Sequence, residues 1–218
     1  MTLWQVIGSR IAEVTGDSIG PGGTDSVGGG CINRAVRLTG AERDYFVKLN
    51  AAARLDMFEA EAAGLQEIAD SGSLRVPRPL CWGVDGDSAY LVLEYVEFGR
   101  GGTSGLEALG RGLAAMHRVT RDRFGWVRDN TIGSTPQINT SGRDWTAFWR
   151  ERRLGYQLEL AARNGYGARG SVVRQLCHGQ RRRPGDFRPG GVLWRPGDRS
   201  GHDRAVRRFR RPVLCGLS

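Results

Sequence analysis

The sequence holds one lysine, Lys48, against thirty-one arginines. A GC-rich coding sequence imposes such a bias, so a lysine that survives it marks a position to ask about. Cysteine is sparse and scattered: Cys31, Cys81, Cys177 and Cys215 form no CxxC pair and have no histidine at metal spacing. That excludes the usual zinc patterns and leaves four free thiols as the expectation in a reducing compartment. Only Cys31, inside a glycine-rich loop, invites a redox reading. No run of 18 or more apolar residues is present, which excludes a transmembrane helix of ordinary length. The N-terminus lacks the basic region, long apolar stretch and small-residue cleavage site of a signal peptide. Leu3, Val6, Ile7, Ile11 and Val14 instead fit one face of an amphipathic helix. The expected location is cytoplasmic, with no membrane partner.

The net charge of +9 is unevenly placed. Residues 180–218 carry eleven arginines against Asp186, Asp198 and Asp203, which is +8, so residues 1–179 carry only +1. The basic character belongs to the tail, and specific nucleic-acid binding is not expected of the rest.

Along the chain, residues 16–30 are rich in glycine and other turn formers. CINRAVRL and DYFVKLN predict two strands around a Gly40-Ala41-Glu42-Arg43 turn. Residues 56–69 predict a helix, with Asp56 as cap and Phe58, Ala62, Leu65 and Ile68 as its apolar face. The prolines at 77 and 79 force an extended connection. Strands are expected at 80–84 and 89–96, then helices at 106–118 and 145–164. The order is helix, two strands, helix, two strands, then helices: a small mixed lobe joined near 94–100 to a helical lobe.

The mixed lobe has the parts of a nucleotide clamp. Gly28, Gly29 and Gly30 precede a strand, where backbone N–H groups without side-chain obstruction suit phosphate oxygens. Lys48 lies on the next strand, and Glu59 and Glu61 on the helix after it. Kinases use this order, a strand lysine on the α/β-phosphates and a helix glutamate on the lysine. The loop lacks the G-x-G-x-x-G pattern of protein kinases.

VGGGCINRAVRL, YFVKLN, MFEAEAAGL, VPRPL, YLVLEYV, ALGRGLAAMHR, FGWVRDNTIGSTPQIN and DWTAFWRERRLGYQLELAARNG, in this order over residues 4–179, resemble the fructosamine (ketosamine) kinase family. The resemblance implies an α+β, two-lobed, protein-kinase-like fold related to the aminoglycoside phosphotransferases. The N-lobe is a small mixed α/β unit and the helical C-lobe is incomplete. It also implies ATP and Mg²⁺ as cofactors, and phosphorylation of ketoamines on small amines or protein lysines. Carried over, Lys48 holds phosphates and Glu61 partners it, with Glu59 as second choice. Glu94, Tyr95 and Val96 form the hinge that meets adenine. Phe124, Gly125, Trp126, Asp129, Asn130 and Gln137 lie in the substrate-side segment, where core packing is the alternative role for the aromatics.

The resemblance stops near residue 180. The family continues HGDLWSGN, whose aspartate accepts the substrate proton, and later F-D-P-A, whose aspartate binds metal. Here His178-Gly179 fits but Gln180 stands in the aspartate's place, so no catalytic residue and no metal ligand is assigned. Residues 183–199 are compatible with codons that, read one base later, spell DPVIFDPAVYYGDREI, the family's metal-binding segment. The expectation is a deletion with a frameshift, which resequencing the DNA across codons 170–218 checks. Three regions follow: an ATP-binding lobe at 1–96, a partial helical lobe at 97–179, and an Arg-rich, out-of-frame, disordered tail at 180–218. The expected function is a ketoamine kinase impaired in this chain. Alternatives are a polyanion-binding module that uses the tail, or an aminoglycoside- or choline-type phosphotransferase.

Overall fold

The computed structural model describes residues 1–28, 32–99 and 101–166. All of them fall in one compact unit. Helix α1 (Leu3–Thr15) opens with a reciprocal cap in which the Thr2 side chain accepts from the Gln5 N–H and the Gln5 side chain accepts from the Thr2 N–H. It ends at Gly16, whose φ of 77° is the left-handed conformation glycine supplies without steric cost.

Five antiparallel strands follow: β1 (Ile19–Val27), β2 (Arg34–Gly40), β3 (Asp44–Ala51), β4 (Pro79–Asp85) and β5 (Ser88–Glu94), in the spatial order β1-β2-β3-β5-β4. Helix α2 (Leu55–Asp70) lies between β3 and β4 in sequence, entered through a short 3₁₀ turn at Ala52–Arg54. Strand β1 corrects the expectation of turns alone over 16–30. It runs along the sheet edge, where a strand tolerates proline and glycine, and its register against β2 breaks between Ile19 and Thr24. Three strands therefore precede α2 instead of two. Asp56 is not the cap of α2 either. Arg54 occupies the cap position because the 3₁₀ turn runs straight into the helix, and Asp56 accepts from the neighbouring Met57 N–H at 2.8 Å.

Alternation along the central strands sorts side chains to two faces. Tyr45, Val47, Leu49, Tyr90 and Val92 join Ile7 and Ile11 of α1 in one cluster. Ala89, Leu91 and Leu93 join Met57, Phe58 and Ala62 of α2 in the other. Each fully buried large apolar side chain among these contributes about 1.5–3 kcal/mol. Lys48, between Val47 and Leu49 on β3, is thereby directed to the α2 face.

Helix α3 (Thr103–Met116) follows, then a hairpin of β6 (Asn130–Ile132) and β7 (Thr135–Gln137) that the sequence patterns did not reveal. Its strands are three residues each, too short for periodicity to register, and Gly133 turns between them at φ 62°. The final helical stretch is α4 (Trp145–Phe148), capped by Asp144, a π-helical segment Trp149–Gly155, and α5 (Tyr156–Arg163). Among the described residues no helix is long and apolar enough to cross a membrane.

Candidate active site

Lys48 and Glu61, thirteen positions apart, meet across the sheet–helix boundary with Nζ donating to Oε1 at 2.6 Å. Strand alternation aims Lys48 at α2, and the helix carries Glu61 on the flank facing it. Both side chains are only partly shielded, so the pair keeps an open side toward solvent. Glu59, the second candidate, points elsewhere: it accepts from Arg128 Nη2 at 3.0 Å.

The pair borders a cavity of about 490 Å³ whose wall includes Asn33, Met57, Gly64, Trp126, Asn130 and Thr131. Three pieces of chain therefore converge here: the end of the glycine-rich loop, the inner flank of α2 and the β6–β7 hairpin. Asn50 steadies the loop end, donating to Ile32 O at 3.2 Å and to Asn33 Oδ1 at 2.7 Å. Gly28 lies just before the loop; Gly29, Gly30 and Cys31 fall outside the described residues, as do His178, Gly179, Gln180 and the Arg-rich tail.

Glu94 closes β5, and Tyr95 and Val96 follow it. The Glu94 N–H donates to Arg78 O at 2.8 Å and its carboxylate accepts from Arg75 Nη2 at 2.7 Å. The Arg37 guanidinium sits 4.7 Å from the centre of the Tyr95 ring, so the segment is braced from both sides.

The substrate-side candidates divide. Trp126 and Asn130 line the cavity. Phe124 packs with Trp145 and Phe148 at ring separations of 5.2 and 6.5 Å. The Asp129 carboxylate accepts from the Asn139 N–H at 2.7 Å. Gln137 donates to Asn130 Oδ1 at 3.0 Å across the hairpin. Gly125, at φ 110°, leaves room for the Asn139 carbonyl, which a Cβ there would meet at 2.5 Å.

Asn139, Arg153 and Glu67 did not stand out from the sequence. Asn139 is buried at 2% exposure and bonds Arg128 O and Asn130 Oδ1, holding the hairpin closed. Arg153 reaches Ile138 O and Asn139 Oδ1, each at 2.6 Å. Glu67 of α2 accepts from Trp126 Nε1 at 2.7 Å and Arg121 Nη2 at 2.5 Å. These contacts lie beyond the reach of strand or helix periodicity, those of Glu67 joining segments more than fifty residues apart, so no local spacing encodes them.

A strand lysine held by a helix glutamate beside a glycine-rich loop is the arrangement kinases use on nucleotide phosphates. A family model described as fructosamine kinase matches residues 3–188. The chain belongs to that family. It is 47% identical over 161 residues to a Synechocystis protein provisionally named ketoamine kinase, covering 73% of this chain and 55% of the relative. Likewise it is 47% identical over 157 residues to the chloroplastic protein-ribulosamine 3-kinase of Arabidopsis thaliana, covering 70% and 47%. The chain spans about half the length of the curated relatives it matches. Among solved structures, a provisionally named fructosamine-3-kinase of Haemophilus somnus aligns with a TM-score of 0.72 at 25% identity, over 79% of this chain and 60% of that one. One from Thermobifida fusca aligns with a TM-score of 0.63 at 30% identity, over 77% and 57%. The mixed, kinase-like fold expected from the sequence is the fold of these neighbours, and kinase chemistry with ATP is the property of the family.

Proposed function

We infer that this chain carries the nucleotide-binding lobe and part of the substrate side of an ATP-dependent ketoamine kinase acting on fructosamine- or ribulosamine-type sugars, free or protein-bound, in the cytoplasm. The observation that carries this reading is the 2.6 Å Lys48–Glu61 pair in the wall of the cavity that Trp126 and Asn130 also enter. ATP, when bound, supplies the transferable phosphoryl group. Lys48 offers three donors and a positive charge to phosphate oxygens, and Glu61 restrains its flexible stem so that less entropy is lost on binding. Glu94, Tyr95 and Val96 stand at the end of β5 as the adenine-facing backbone. On the sugar side, Trp126 presents an aromatic body and Asn130 a side-chain amide at the cavity wall.

Magnesium is implied by the family. Among the described residues no three His, Cys, Asp or Glu side chains converge to hold a metal ion, and the positions where the resemblance expects its ligands lie outside the described residues. Gln180 is an amide at the position where the resemblance calls for a proton-accepting aspartate. This chain is therefore expected to bind nucleotide without turning over ketoamines at a useful rate.

Titration of the full chain with a fluorescent ATP analogue tests the reading. Lys48→Ala should weaken binding at least about tenfold, equivalent to about 1.4 kcal/mol. Equal affinity in parent and variant would sink the assignment of Lys48. Robust phosphorylation of fructosyl-lysine by this 218-residue chain would overturn the expected impairment.

A further inference from the structure

Helix α2 is anchored unevenly. Its buried side chains, Met57, Phe58, Ala60 and Ala62, all lie in its first half. Beyond them comes Gly64, which apart from proline is the residue type that holds a helix least firmly, and then last turns whose side chains are half-buried or exposed. The segment 121–128 crosses this helix and grips it at two points. Arg128 bonds Glu59 at 3.0 Å in the well-packed half, while Trp126 and Arg121 bond Glu67 in the loosely packed half. The two grips are about two helical turns apart, and Glu61 lies between them.

We propose that Glu67 is a positioning residue for the nucleotide site: by holding Trp126 and Arg121 it fixes the pitch of α2, and so the place to which Glu61 draws the Lys48 ammonium. The proposal rests on the nucleotide reading of Lys48 and Glu61 for its functional consequence, but not for its structural one. A carboxylate that satisfies an indole N–H and a guanidinium together restrains the helix half that apolar packing holds less tightly, through half-buried Leu65 rather than fully buried side chains. Without it, the turns after Ala62 are tied to the rest of the molecule chiefly through half-buried contacts. Glu61 rides at that boundary, and a small rotation there separates its carboxylate from Lys48, since charge-assisted hydrogen bonds depend on both distance and direction.

Two measurements on the full chain test this. Hydrogen–deuterium exchange should show amides 60–67 opening about tenfold faster in Glu67→Ala than in the parent, with β3 and β5 unchanged. Glu67→Gln, which keeps an acceptor for Trp126, should fall between. Titration with a fluorescent ATP analogue should show Glu67→Ala weakening binding about tenfold, within the usual range of coupling between sites. The same substitution should add nothing in a Glu61→Gln background, because its effect passes through Glu61. Unchanged exchange in α2 would overturn the proposal, as would additive losses in the double variant. If the parent chain shows no nucleotide affinity, the functional reading fails, and the exchange experiment alone decides the role of Glu67.

Discussion

Tyr45 donates its hydroxyl proton to the Asp17 carboxylate at 2.8 Å, with both side chains buried. The other Asp17 oxygen accepts from the Glu42 N–H at 3.1 Å, so this one carboxylate ties the end of α1 to the β2–β3 turn beneath the sheet that carries Lys48. Burial pushes the Asp17 carboxyl up, but hydrogen bonds from Tyr45 and from the backbone of Glu42, Arg43 and Ser18 outweigh it and hold the group below its ordinary value. An aspartate in the unfolded chain titrates near pH 3.9, at about the usual value. The sign follows: the stability Asp17 contributes is complete above about pH 4 and is lost as the pH falls through the lower folded value. Asp17→Asn should lower the thermal midpoint at pH 7 and flatten the acid limb below about pH 4. Melting curves across pH 2–7 check this, and an unaltered acid limb would remove Asp17 from the account.

Arg153 braces the chain just after the β6–β7 hairpin, beside the segment that brings Trp126 and Asn130 to the cavity. Its guanidinium bonds Ile138 O and Asn139 Oδ1 while resting 4.7 Å from the centre of the Phe148 ring. Burial presses its pKa down, with Asp129 acting in the opposite direction, but arginine stays charged throughout the working range. Arg153→Met leaves two acceptors without that donor and should cost about 1–3 kcal/mol of stability. Arg153→Lys should recover only part of this, because an ammonium lacks the planar fork that serves two acceptors at once. Urea unfolding of the two variants beside the parent measures both numbers.

What the sequence made legible follows one physical rule. Contacts set by local period were readable: the lysine on the α2 face of β3, the apolar face of α2, the two antiparallel pairs around it. Lys48 and Glu61 belong to that class, because strand alternation and helix periodicity together leave few partners for the lysine, and the second choice, Glu59, is occupied by Arg128. Contacts that depend on tertiary closure were not readable. Neither Glu67 nor Arg153 carries a local signal of the partners it meets across the fold. Edge strand β1 was hidden for a different reason, since glycine and proline suppress the strand signal wherever an unpaired edge permits them. The resemblance located the segment FGWVRDNTIGSTPQIN but not the division within it, where Trp126 and Asn130 border the cavity while Phe124, Asp129 and Gln137 hold the fold.

Helix α3 presents Leu106, Leu109 and Leu113 at 72%, 48% and 37% exposure, spaced so that they share one flank. Contiguous exposed apolar surface of this kind promotes self-association. Leu106→Glu with Leu109→Glu should leave the thermal midpoint within a degree or two, since little burial is lost, and should shift the light-scattering mass toward monomer. A large drop in the midpoint would mean that these leucines are buried in the folded protein in solution.

Gly64 sits in the interior of α2, where glycine costs about 1 kcal/mol relative to alanine. No atom outside its own stretch of helix backbone lies within 4 Å of the place a Cβ would occupy, so packing does not demand the glycine. What lies beside it is the cavity shared by Lys48, Glu61, Trp126 and Asn130. A residue that forgoes helix stability to keep a cavity open is explained if the cavity receives a ligand. Gly64→Ala should therefore raise the thermal midpoint by about 2–4 °C, the shift that 1 kcal/mol produces in a domain of this size. Gly64→Leu, which extends further into the space, should weaken binding of the nucleotide analogue or of fructosyl-lysine about tenfold while the fold stays intact. If Gly64→Leu binds both as the parent does, the cavity is not where ligand is held, and the glycine must serve a movement of α2 instead.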